Sequence, residues 1–188
     1  MVGRYDLIAF DIDGTLCPSG RALTEEQLSL IDTTVPKEFK LVDKKGFNYS
    51  AFPGVVDTIR RLKQIQDLRL AVISNGFSNR QRNKLILAGL ESCFDPVYIS
   101  EEFAETYFED KYKKEHQGEY FEVRHKRGYT REIEKPNPIM LIKMNFETKT
   151  PSHRSLYVGN TDEDHTAANR AEWEFVRIRD NDPKYSRI

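Results

Sequence analysis

The sequence predicts an α/β domain in which a doubly wound, parallel five-stranded sheet carries helices on both faces. Three observations predict it. Short runs rich in Ile, Val, Leu and Tyr recur along the chain, stretches of helical periodicity lie between them, and turn or cap signals stand at the joints. Strand and helix alternating in this way is the pattern of a parallel sheet covered on both sides.

The predicted strands are Tyr5–Asp11, Arg69–Ser74, Val97–Ser100, Ser155–Gly159 and Glu174–Ile178. Pro53-Gly54 introduces a helix over Val55–Ile65, with Val55, Ile59 and Leu62 on one face. Ser78 or Asn79 is placed to cap Arg80–Ala88, and Gly89 follows as its stop. Pro136-Asn137-Pro138 opens Ile139–Asn145, since proline is tolerated in a first turn. Asp162 to Glu172 reads as a further helix behind the fourth strand. Trp173 and Phe175, flanking the last strand, are expected in the core.

Two segments break the alternation. Residues 17–52 hold one predicted helix, Thr24–Asp32, capped by Thr24, and then a polar and aromatic stretch. Residues 101–134 are dense in charge and carry seven aromatics. Their first half reads as helix, with Phe103 and Tyr107, and Phe108 and Tyr112, spaced to pair along it. Their second half, Glu119–Ile133, reads as a hairpin turning near Arg127-Gly128. The expected organisation is one domain over residues 1–188 with two inserts.

A chain of 188 residues suits one domain: its 38% hydrophobic residues can fill a core, and the charged residues, 31% of the chain, can clothe it. The net charge of −1, with no block of one sign, argues against a general affinity for nucleic acid or an acidic membrane. No apolar run approaches the roughly 20 residues that span a bilayer. The apolar stretch Leu7–Phe10 reads as a buried strand, not as part of a signal peptide. Cys17 and Cys93 lack metal-ligand spacing and are too few for a disulfide framework, so reduced, packed thiols and a cytoplasmic protein are expected. Monomer and homodimer both stay open.

The chemistry concentrates at the ends of predicted strands. Asp11-Ile12-Asp13-Gly14-Thr15-Leu16 follows the first strand directly. Ligands of doubly wound sheets bind beyond the carboxyl ends of the strands, which puts both acids at the mouth, with Gly14 supplying the turn. A bare D-x-D is as often a calcium-type loop or a solvated turn; one that leaves a hydrophobic strand and runs into Gly-Thr-Leu is a stronger signal. Three further motifs follow in order: Val72-Ile73-Ser74-Asn75-Gly76, Glu134-Lys135-Pro136-Asn137-Pro138, and Val158-Gly159-Asn160-Thr161-Asp162-Glu163-Asp164. Alone, Ser74 reads as a cap or turn and Lys135 as a solvated lysine. Together, the four motifs resemble those of the haloacid dehalogenase (HAD) superfamily of phosphohydrolases, phosphoglycolate-phosphatase-like members in particular, whose core is Rossmann-like. The resemblance covers the core of the chain but not residues 17–52 or 101–134, which occupy the positions of caps.

The resemblance implies a Mg2+-dependent phosphomonoester hydrolase acting on a small phosphorylated metabolite. It makes Asp11 the nucleophile, which forms an aspartyl-phosphate that water then hydrolyses. Asp13 becomes the acid that protonates the leaving oxygen and the base that activates the water. An acid at position 13 also argues against the dehalogenase branch. Ser74 and Lys135, with Asn75 and Gly76 of the same turn as Ser74, become the phosphate-binding groups. The implied Mg2+ ligands are a carboxylate oxygen of Asp11, the backbone carbonyl of Asp13, and the fourth motif through Asn160 and Asp164.

That fourth motif departs from the family's commonest form, which carries Asp where this chain has Asn160. Three readings compete: Asn160 ligates weakly while Asp164 holds a metal-bound water, Asp162 takes over through a local shift, or activity is lost. His165 beside this acidic cluster reads as a capping or surface residue. The run Arg124-His125-Lys126-Arg127, with Arg131, is the most basic patch. It reads either as a solvated hairpin balanced by nearby Glu residues or as a contact for extra phosphates or a nucleic-acid end. Two alternatives therefore accompany the metabolite phosphatase: a nucleic-acid-end phosphatase, and a non-catalytic phosphate- or partner-binding protein.

Overall fold

The first strand, β1 (Leu7–Phe10), is buried along its whole length, as expected of a central strand in a sheet covered on both faces. The structure, a computed structural model, describes residues 4–18, 51–107 and 132–178. β1 is followed by α1 (Val55–Lys63), β2 (Arg69–Ser74), α2 (Ser78–Leu87), β3 (Val97–Ile99), α3 (Ile139–Thr148), β4 (Ser155–Gly159), α4 (Asp162–Arg170) and β5 (Glu174–Arg177). The five strands are all parallel, in the order β3-β2-β1-β4-β5. The predicted sheet is therefore the observed one, with ends trimmed by a residue or two.

Alternation along the strands divides the core in two. Leu7 and Ala9 of β1, Ala71 and Ile73 of β2, and Tyr157 of β4 face α3 and α4, where Met140, Leu141, Met144, Ala167 and Ala168 close the layer with Trp173. Ile8 and Phe10, Leu70 and Val72, and Leu156 and Val158 face the other way, against Ile59 of α1 and Leu85 of α2. Successive strand side chains point to opposite faces, so each central strand serves both layers. Cys17 and Cys93 are buried thiols of the second layer and form no disulfide, as expected of packing residues.

Helix boundaries show where local signals were overridden. α2 begins at Ser78, and neither Ser78 nor Asn79 caps it; Phe77 stands at the cap position without a side-chain bond. The Ser78 N–H donates instead to Glu101 Oε2 (2.8 Å), so a residue beyond β3 satisfies the helix start. α3 runs three residues past the predicted Asn145 and stops at Lys149, which adopts the left-handed conformation. α4 starts from a capping box in which Thr161 and Asp164 satisfy each other's backbone N–H.

A helix follows β3 over residues 100–107, and in it Phe103 and Tyr107 stack with ring centroids 5.7 Å apart. Residues 132–133 form a helical turn, so the expected hairpin does not extend to Ile133. The remainder of that hairpin, the Phe108–Tyr112 pair, the basic run with Arg131 and the Thr24–Asp32 helix lie outside the described residues.

Candidate active site

The strand order reverses at β1: the chain moves outward through β2 and β3, then returns to the other side of β1 for β4 and β5. A crevice opens beyond the carboxyl ends of the strands at such a switch point. Register then places the motifs side by side. Phe10 pairs with Val72 and with Val158, so Asp11 comes level with Ile73 and Gly159, one residue short of Ser74. The Asp11 N–H continues the ladder to the Val158 carbonyl (2.9 Å).

Asp11, only 5% exposed, points to the α3–α4 side and meets the Lys135 ammonium at 2.6 Å from Oδ1. The same ammonium lies 2.6 Å from Asp164 Oδ1 and 2.8 Å from the Tyr157 hydroxyl. An ammonium has three protons, and these three acceptors use them. Tyr157 in turn donates to the Ile73 carbonyl (2.7 Å). Ser74 Oγ donates to the Asp11 oxygen already held by Lys135 (3.3 Å). Among the described residues Asp11 Oδ2 accepts no hydrogen bond, which leaves one carboxylate oxygen available for chemistry.

Two carboxylates share one lysine yet respond oppositely. Burial pushes Asp11 up to about 6, with the nearby Lys135 charge opposing and the Asp164 charge reinforcing the rise. Burial acts on Asp164 in the same sense, but the Lys135 charge and the hydrogen bonds of Thr161 outweigh it and hold the carboxyl below its ordinary value. Asp164 Oδ2 accepts from the Asn160 N–H (3.1 Å), the Thr161 N–H (3.0 Å) and the Thr161 hydroxyl (2.8 Å), and these bonds favour the ionised form. Burial would lower Lys135, but the charges around it, Asp11 foremost, raise it well above the usual lysine value. The ammonium is therefore a fixed cation.

Asp13 departs to the opposite side. Lys84 Nζ of α2 pairs with its Oδ1, and Gln81 Nε2 donates to its Oδ2 (2.7 Å). Asn160 packs against the first motif: a Cβ on Gly14, whose φ is +80°, would stand 2.1 Å from Asn160 Nδ2. Only glycine permits that approach at that backbone angle. Thr15 Oγ1 donates to Asn160 Oδ1 at 3.4 Å. Asp162 is bound by Arg177 on the exposed side of α4 (2.6 Å), away from this packing. His165 is exposed and lies against Phe175, with ring centroids 5.0 Å apart.

No protein-family model matches the chain. A glyceraldehyde 3-phosphate phosphatase of Methanopyrus kandleri is 28% identical over 138 residues, 73% of this chain; the chain spans 47% of that relative's length. Among solved structures, YfnB of Bacillus subtilis, described as a HAD-hydrolase and solved bound to magnesium, has a TM-score of 0.59 at 15% identity, over 93% of this chain and 87% of that one. A hydrolase of Streptococcus pneumoniae gives a TM-score of 0.58 at 16% identity, over 95% of each chain. A phosphoglycolate phosphatase of Haemophilus somnus, so described by prediction, gives 0.56 at 17% identity, over 94% of this chain and 86% of that one. The chain has the haloacid dehalogenase fold.

On this HAD fold, Asp11, Ser74, Lys135 and Asp164 converge, while Asp13 and Asn160 line the adjoining loops. Four features escaped the sequence reading. Tyr157 looks like a strand residue, yet its hydroxyl sits between Lys135 and the Ile73 carbonyl. The Asn75 side chain accepts from the Lys135 N–H (3.0 Å) and donates to its carbonyl (3.2 Å), tying the two phosphate-site loops together. The Gly76 N–H is engaged by Ser100 Oγ (2.9 Å). Gln81 and Lys84 were hidden in an ordinary polar helix, although their three-residue spacing puts them on one face.

Proposed function

We propose that the chain is a Mg2+-dependent phosphomonoester hydrolase working through an aspartyl-phosphate on Asp11. The observation that carries this is the single buried ammonium of Lys135 bridging Asp11 and Asp164, with Ser74 on the same Asp11 oxygen, at the carboxyl edge of a parallel sheet. A buried lysine between two acids is a costly arrangement for stability alone, and it compensates the charge of a phosphoryl group.

The donors near the mouth suit magnesium. A carboxylate oxygen of Asp11, the Asp13 carbonyl and the Asn160 amide oxygen are all hard oxygen donors. Asp11, Asp13 and Asn160 would hold the ion. Asp164, whose two oxygens are already engaged, would serve by orienting Lys135 and the Asn160 backbone. Bound there, Mg2+ supplies positive charge to the phosphoryl oxygens and draws the Asp11 carboxyl back toward its ionised form.

In the reaction Asp11 Oδ2 forms a bond to phosphorus as the bond to the leaving oxygen breaks, and Asp13 gives that oxygen a proton. Ser74 and Lys135 neutralise the equatorial oxygens. Asp13 then takes a proton from the water that attacks the aspartyl-phosphate, releasing phosphate and restoring Asp11.

A panel of phosphomonoesters assayed with and without Mg2+ tests the proposal, with triose phosphates placed first because of the curated relative. Turnover that requires Mg2+ is expected; no turnover of any ester would refute it. Asn160→Asp restores a charge at the fourth motif and should tighten apparent Mg2+ affinity several-fold, up to about tenfold. An unchanged magnesium titration would remove position 160 from the coordination sphere.

A further inference from the structure

We propose that Gln81 and Lys84 of α2 form a latch that positions Asp13 as the proton donor and thereby suits the enzyme to phosphate esters of aliphatic alcohols. The inference rests on the phosphomonoesterase reading. Each oxygen of the Asp13 carboxylate is held by one member of the pair: Oδ1 by Lys84 Nζ and Oδ2 by Gln81 Nε2 at 2.7 Å. The same Gln81 nitrogen donates to the Asn75 carbonyl at 3.0 Å, so the latch fixes Asp13 relative to the loop carrying Ser74. Gly76 leaves room for it, since a Cβ there would come within 3.0 Å of Gln81 Nε2.

Folding alone does not call for these residues. Lys84 is fully buried, and Gln81 is 2% exposed with its Oε1 unpartnered among the described residues. Apolar side chains would fill both positions at lower cost. The Asp13 side chain retains 31% exposure, so solvent could satisfy its carboxylate without a buried lysine. What solvent cannot supply is a fixed direction, and displacement of a catalytic group by about 1 Å can cost on the order of 100-fold in rate. Placement of a general acid matters most when the leaving group is basic. An aliphatic alkoxide needs the proton, whereas a nitrophenolate departs readily without it.

The test compares the wild type, Lys84→Met and Gln81→Met on glycerol 2-phosphate and on p-nitrophenyl phosphate, with Mg2+ present. For both variants the ratio of kcat on the aliphatic ester to kcat on the aryl ester should fall on the order of tenfold, with KM little changed. In an Asp13→Asn background, Lys84→Met should lower that ratio no further, because the latch acts only through Asp13. An equal fall on both esters, or an additive fall in the Asp13→Asn background, overturns the latch. Should Lys84→Met not accumulate as folded protein, the ratio for Gln81→Met decides by the same criterion. A wild type that cleaves neither ester would defeat the phosphatase reading instead. The crystal structure of a latch variant then decides separately: a rotated Asp13 carboxylate supports the latch, and an unmoved one overturns it.

Discussion

Asp11→Asn is expected to abolish turnover, a loss of at least about 10³-fold, while the protein stays as stable as the wild type or becomes more so. The amide oxygen can still accept from Lys135, as Asp11 Oδ1 does at 2.6 Å, so the local packing has a close substitute. The amide nitrogen replaces the oxygen that would attack phosphorus, and no other carboxylate is placed to take over: Asp164 is saturated by Lys135, Thr161 and the Asn160 N–H, and Asp13 is held by α2. Stability should not suffer, because burial lifts the Asp11 carboxyl to about 6. A folded-state value raised above the unfolded one means the charged form is disfavoured at neutral pH, a cost of a few kcal/mol that the neutral amide removes. Urea denaturation and an acid-quench assay for covalently bound phosphate measure the two halves. Residual turnover near the wild-type rate would remove Asp11 as nucleophile. Loss of the fold would show instead that its charge is structural.

Much of this arrangement was legible in the chain because it depends on local pattern. A four-residue apolar run, Leu7–Phe10, is sufficient to announce a central strand, and the D-x-D-G-T-L that follows from Asp11 announces what lies at its end. Ser74 and Lys135 could be placed because each sits where a strand stops or a helix is about to start. Features decided by partners far along the chain were not legible. The start of α2 is satisfied by Glu101, 23 residues away, so the local candidates Ser78 and Asn79 misled. Tyr157 joins the site only because β4 lies beside β1, and no local signal marks its hydroxyl as polar in use. Asp164 was read as a candidate for the metal, and its position in the capping box of α4 shows why that role is hard to see from spacing: the same Asp-at-fourth-position pattern builds the helix start. Short-range periodicity reveals elements; the sheet order decides which of their side chains meet.

Lys135→Met should destabilise the protein by about 3–5 kcal/mol, since removing one partner of a buried ionic cluster leaves uncompensated charge behind. Here two carboxylates lose their common cation, and the Tyr157 hydroxyl loses a donor. Methionine keeps the length of the chain, so the loss isolates charge and hydrogen bonding from volume. The pH dependence distinguishes this cause from a packing defect. In the wild type the Asp164 carboxyl is depressed below its ordinary 3.8, so its stabilising contribution is present above that value and lost as pH falls through the folded-state value. Without Lys135 that depression reverses, and Asp11, already raised, rises further. The folded variant then binds protons more tightly than its unfolded chain, so its stability increases as pH falls. The difference between wild type and variant should therefore narrow between about pH 8 and about pH 5, as followed by urea denaturation at each pH. A gap that stays constant over that range would mean that Lys135 contributes through packing, and that the two acids are not held together by its charge.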